Sequence, residues 1–234
     1  MTAGDFSALE RVGLNLQAVF DVDGLPQTLR TRLRELAGGA RQYRQLILIG
    51  NAGPKLWESV MAAQSRSKDP IDEFSVRTVS DWFAARFGDT ARLDLYPGDA
   101  PLDLQGLGSL AGWHHASPFK VGINNEWGSW FAYRVAFLAD TTLPPTGARF
   151  TTSPCTDCVA RYCVAACPAE ALADNDFDLP RCIAYRQLPD SLCAHTCVAR
   201  ISCPVRYEFR YHDDQIRHGY GNSLRMIALH AAKE

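Results

Sequence analysis

The sequence predicts an α+β protein: an α/β domain over residues 1–143, a small cysteine-rich module over 150–211 and a C-terminal helix over 212–234. Three observations predict it. Helical and strand-like apolar periods alternate through the first 143 residues, which contain no cysteine. All eight cysteines lie between Cys155 and Cys203. Helical spacing returns after Asp213.

Taken in order, residues 6–19 read as an amphipathic helix, and residues 25–36 as a second one stopped by Gly38-Gly39. The short apolar run 45–50 ends in glycine and suits a buried strand. Residues 51–54 turn the chain into a helix beginning at Leu56. Asp69-Pro70 reads as an N-cap followed by proline at the first helical position, and Gly88 closes that helix. Residues 91–96 suit a strand. Runs 119–123 and 129–138 flank the loop Asn124-Asn125-Glu126-Trp127-Gly128 and read as a hairpin. Leu143-Pro144-Pro145-Thr146-Gly147 reads as a linker. The last helix spans 213–232, interrupted at Gly219 and Gly221.

Composition is that of a globular protein, with 47% hydrophobic and 21% charged residues. The net charge of −2 offers no basic field, so nucleic acid is not an expected partner. No apolar run reaches the roughly 18 residues of a membrane helix. The first residues carry Asp5, Glu10 and Arg11 without a signal-peptide core. A cytoplasmic, reducing location is expected, and structural disulfides are rare there.

A core-filling cysteine behaves as a small hydrophobe and scatters along a chain. Eight within 49 positions call for disulfides, zinc or iron–sulfur clusters. The first group runs Cys155-x2-Cys158-x4-Cys163-x3-Cys167-Pro168. Its opening CxxC suits zinc, but the continuation departs from zinc spacings. Bacterial ferredoxins use C-x2-C-x2-C-x3-C-P, whose fourth cysteine ligates the other cluster, and the x4 variant here resembles that of the ferredoxin-like electron-transfer subunits of molybdenum reductases. A second Cys-Pro, Cys203-Pro204, closes the group that contains Cys193 and Cys197. Two [4Fe–4S] clusters are therefore expected. By the crossing rule, one takes Cys155, Cys158, Cys163 and Cys203, and the other Cys167, Cys182, Cys193 and Cys197. The irregular second group leaves a single cluster as the alternative.

Gly112-Trp113, Gly128-Ser129-Trp130-Phe131 and Leu143-Pro144-Pro145, followed by the ferredoxin-like run, resemble epoxyqueuosine reductase. Arg181-Cys182-Ile183-Ala184-Tyr185 resembles a segment that supplies a second-cluster ligand there. Asp69-Pro70-Ile71-Asp72 and Gly128-Ser129-Trp130-Phe131-Ala132 also look like the cobalamin-processing, decyanating proteins. The resemblance implies a nitroreductase-like N-terminal domain holding base-off cobalamin, with the clusters passing electrons to cobalt. It implies an oxidoreductase served by an electron donor such as a ferredoxin, flavodoxin or reductase, acting on a small-molecule or corrinoid ligand. Trp113, Trp130, Phe131 and Tyr133 become candidates for lining a macrocycle's pocket, and Arg134 for contacting its amides. An aromatic stripe of this kind is otherwise core.

The family's catalytic aspartate has its nearest match in Asp99-Ala100-Pro101, two residues out of register, where the plain reading is a turn after Pro97-Gly98. His114-His115 stands where that family has Gly-Lys-Asn, and a surface pair is its plain meaning. His195, between Cys193 and Cys197, is a substitute ligand only if a thiolate is missing. Without clusters reaching a bound substrate, the chain reads as an electron carrier or a cobalamin-trafficking protein.

Overall fold

The computed structural model describes residues 5–39, 43–149, 152–172 and 176–231. Helices and an antiparallel sheet share the chain, so the α+β class holds. Its contacts divide into two compact units, one formed by residues 1–113 and 131–149, the other by 114–130 and 150–234.

The first unit is built on four strands, β1 (Leu16–Asp21), β2 (Gln45–Ala52), β3 (Arg92–Tyr96) and β4 (Phe131–Ala139). They lie in the order β1-β2-β4-β3, and every neighbouring pair is antiparallel. β2 is buried along its whole length, which explains why its apolar run is unbroken rather than alternating. Ile47 and Ile49 share a fully buried face with Val135 and Phe137. Among the described residues, five α-helices belong to this unit: α1 (Ser7–Glu10), α2 (Gln27–Leu36), α3 (Lys55–Ala62), α4 (Pro70–Phe87) and α5 (Leu104–Leu110). Leu56 and Val60 from α3, and Val79, Trp82 and Phe83 from α4, cover that sheet face. Each such side chain contributes about 1.5–3 kcal/mol of apolar burial.

Four expectations change. The helix over 6–19 shrinks to α1, and its second half is β1. Gly13 breaks it: its φ is +89°, and a Cβ there would collide with the Leu56 backbone. The hairpin over 119–138 does not form. Its second half is β4, whose two edges are taken by β2 and β3, while 119–123 offers only the isolated bridge His115–Ile123. The 143–147 linker is held in place, because the Gln45 side chain bonds both the N–H and the C=O of Leu143. Thr146 exchanges hydrogen bonds with Val19, extending the β1 edge. The sequence signals missed α5, whose N-cap Asp103 accepts the Gly106 N–H at 2.8 Å.

The second unit has short helices α6 (Tyr162–Ala165), α7 (Leu179–Arg186) and α8 (Val198–Ile201), then the long α9 (Asp213–Ala231). α9 runs unbroken through Gly219 and Gly221, because each glycine costs a helix interior only about 1 kcal/mol. Two small apolar clusters serve this unit. Phe119, Cys163, Leu172 and Ala199 form one; Trp130, Tyr211 and Ile216 form the other. Phe119 and Trp130 come from the 114–130 segment, so the cysteine module is completed by residues far upstream of it. Asn124 accepts the N–H groups of Glu126 and Trp127, and Gly128, at φ +58°, closes that turn. No helix of the described residues is long and apolar enough to cross a membrane.

Candidate metal centre

Short elements place the cysteines. Cys163 lies inside α6, Cys182 inside α7, and Cys197 caps α8. All eight are free thiols. Cys155, Cys158, Cys163 and Cys203 line one small cavity of about 50 Å³. Cys167, Cys182, Cys193 and Cys197 line another of about 290 Å³.

The electrostatics divide the thiols the same way. Burial pushes Cys155 and Cys163 up, and the other thiols that add to the effect are Cys203 and Cys158 for both and Cys155 for Cys163. Burial likewise raises Cys182, Cys193 and Cys197, and the thiols acting on them belong to the second group. Cys203, the last cysteine in the chain, is raised first by burial and then by Cys158. Without a cation these thiols keep their protons; a metal that displaces the protons removes the penalty.

Backbone N–H groups of Val164 and Val205 point to Cys163 and Cys203, and those of Val198 and Arg200 to Cys193 and Cys197. Such donors stabilise sulfur carrying negative charge. Among the described residues, no three His, Cys, Asp or Glu side chains converge as the ligands of a single ion. Tetrahedral zinc at about 2.3 Å from each sulfur needs thiolates about 3.8 Å apart. Each of the two cavities is ringed by four soft sulfur donors.

The remaining candidates fall in different places. Asp99 is exposed in the turn after β3. Trp113 is buried and stacked against Tyr133, with centroids 6.4 Å apart. Phe131 is buried on β4 and meets Tyr133 edge-on. Tyr133 is half-buried, and burial pushes its hydroxyl well above the ordinary tyrosine value. Trp130 belongs to the other unit, where the Arg200 guanidinium lies 4.4 Å from its ring centroid. Each of the four aromatics is held by protein contacts within its own unit, Trp113, Phe131 and Tyr133 in the first and Trp130 in the second. His195 is exposed and borders neither thiol cavity. His114 and His115 are half-buried in the 114–130 segment. Arg134 donates to Asn51 Oδ1 at 2.6 Å.

Two groups beside the thiols escaped the sequence reading. Arg186 follows Cys182 by four positions on α7, and Arg200 follows Cys197 by three at α8. Both spacings place an arginine one helical turn from a cysteine, a signal that was available. A third omission is Asp72, in the first turn of α4: burial raises its carboxyl, with Arg134 opposing. Tyr96 is raised by its own burial and by Asp72.

No protein-family model matches the chain, and no curated protein sequence matches it. Solved structures do. Epoxyqueuosine reductase from Streptococcus thermophilus superposes with a TM-score of 0.54 at 15% identity, over 88% of this chain and 66% of that one. The Bacillus subtilis enzyme, solved with its catalytic aspartate loop swung out of the active site, gives 0.54 at 16% identity, over 88% and 65%. An epoxyqueuosine reductase carrying a tRNA stem-loop gives 0.56 at 15% identity, over 91% and 67%. The chain has the fold of epoxyqueuosine reductases and spans about two thirds of their length. A protein of this fold binds RNA, so the expectation against nucleic acid, drawn from net charge alone, loses its force as an exclusion.

Proposed function

We propose that this chain is an iron–sulfur oxidoreductase with two [4Fe–4S] clusters, delivering electrons to a small substrate or corrinoid bound on the N-terminal unit. The observation that carries the reading is the interleaving of the thiols. Cys167 leaves its sequence neighbours for the second cavity, and Cys203 returns to the first. That exchange is the ligand pattern of two-cluster ferredoxins. Disulfides or independent zinc sites would not need it.

The residues divide the work. The eight thiolates hold iron. The N–H donors to Cys163, Cys193, Cys197 and Cys203 stabilise negative charge on sulfur. Phe119, Leu172 and Ala199 keep water away from the thiols, which sets the potential range. When bound, the clusters supply one-electron chemistry, and an external ferredoxin, flavodoxin or reductase refills them. A corrinoid is the acceptor implied by the family likeness. Trp113, Phe131 and Tyr133 would serve it only from the edges their mutual packing leaves open. Asp99, exposed on its turn, would act as a proton donor on that unit.

The shared fold favours a second substrate class, a modified tRNA base of the kind a structural neighbour is solved with. The test is anaerobic purification with iron and sulfide analysis, then reduced titration with hydroxocobalamin and with a tRNA stem-loop. About eight irons per chain are expected. Iron-poor, zinc-loaded protein would refute the assignment. Eight irons without a cobalt spectrum would retain the clusters and remove the corrinoid.

A further inference from the structure

Two cations are buried in the C-terminal unit beside the second thiol group. Arg186 is 9% exposed and Arg200 is 8% exposed. Arg186 donates to the Cys193 carbonyl at 3.2 Å, the Tyr220 carbonyl at 2.9 Å and Ser223 Oγ at 3.0 Å. Arg200 donates to the carbonyl and hydroxyl of Ser129, and its guanidinium also faces the rings of Trp130 and Tyr211. Every one of these partners is neutral. Among the described residues, neither arginine has a carboxylate partner.

Carbonyls and rings satisfy the N–H groups but do not cancel the charges. A buried cation costs several kcal/mol unless an anion compensates it. Tyr220 is not that anion, since burial pushes its hydroxyl up to about 12 and keeps it neutral at physiological pH. Thiols of the second group stand beside both arginines. Arg186 lines the second thiol cavity and bonds the Cys193 carbonyl, and Arg200 lies on α8, whose N-cap is Cys197, with its backbone N–H directed at that thiol.

We propose that Arg186 and Arg200 are built-in counter-charges for the four-thiolate site of Cys167, Cys182, Cys193 and Cys197, making it the more easily reduced of the two sites. This rests on the two-cluster reading above. The comparison with the first site supports the asymmetry. There the cation acting on a thiol is Arg161, which is exposed, and Asp157 of opposite sign is exposed beside Cys158. Water screens exposed charges far more than buried ones. Hydrogen bonding to sulfur does not explain the difference. In the first site Val164, Val205 and the Ser153 hydroxyl donate to sulfur, and in the second Val198 and Arg200 do. Charge separates the sites, and an added electron comes to rest at the second.

The experiment is an anaerobic redox titration of the full holoprotein, followed by electron paramagnetic resonance, with iron counted in every sample. Cys158→Ser, which depletes the first site, assigns the signals. Arg186→Met and Arg200→Met should each lower the reduction constant of the second site tenfold or more, about 59 mV for one electron. The first site should move less than threefold. Arg186→Lys and Arg200→Lys, which keep charge but lose the planar fork, should stay within threefold of the native protein. Loss of the second cluster in the Met variants but not in the Lys variants also supports the counter-charge role. Met and Lys variants shifted alike, or lost alike, would overturn it, as would Met variants with eight irons and unshifted potentials. Native protein with only four irons would instead overturn the two-cluster reading beneath it.

Discussion

Gly128 is where a single methyl group should do most damage to the cysteine module. Its φ of +58° is left-handed, and a Cβ would strike the Val205 carbonyl oxygen, with the Val205 carbonyl carbon at 3.2 Å and Arg206 Cβ at 3.3 Å. The obstacle is backbone, so it cannot rotate aside. The left-handed conformation costs a residue other than glycine about 1–2 kcal/mol. Forcing the neighbouring segment outward costs about 1–3 kcal/mol more. Gly128→Ala should therefore destabilise by about 2–5 kcal/mol, or roughly 4–20 °C in the melting transition of a chain this size.

The damage should also have a direction. The Val205 N–H donates to Cys203, so displacing Val205 moves a ligand of the first thiol group. Gly128→Ala should release iron to a chelator in two phases, the first-site half leaving early. Gly219→Ala is the matching control, because its Cβ would enter open space on α9 and should stabilise by about 1 kcal/mol. Calorimetry and a chromogenic chelator read both effects. An unchanged Tm for Gly128→Ala, or uniform iron loss, would refute the coupling between that turn and Cys203.

Further outcomes follow from the first unit. Burial holds the Asp72 carboxyl above its ordinary value of 3.8, so its ionisation costs the folded state. That group's contribution is intact below about pH 3.8 and is lost as pH rises through the folded value. Asp72→Asn should thus match the native Tm near pH 4, pull ahead of it as pH rises through the folded value and then keep a constant lead up to pH 8; equal curves across that range would exclude the burial effect. Asp103→Ala removes the cap of α5 and should cost about 1 kcal/mol, seen as a lower urea midpoint with unchanged slope.

Strong local signals made much of this molecule legible. The double glycine after α2, the Asp69-Pro70 start of α4 and the unbroken apolar run of β2 each act within a few residues and each sits at the element it signals, with Pro70 opening α4 and the Asp69 side chain making no capping bond there. What failed was non-local. Residues 16–19 are apolar at spacings that suit helix or strand, and pairing with β2 decides between them. Phe131–Ala139 resembles half of a hairpin until β2 and β3 occupy both its edges. The arginines beside the thiols are ordinary surface residues by composition. Only burial without an acid partner marks them, and that is a property of three dimensions.

The chain passes between its two units three times, at 113–114, 130–131 and 149–150. A cysteine-bearing fragment cut free at residue 150 would leave behind Phe119 and Trp130, which fill its two small cores. Cutting at the proline-rich stretch would strand the same pieces. The module is therefore not a cassette that could be appended, swapped or proteolytically liberated with its two small cores intact.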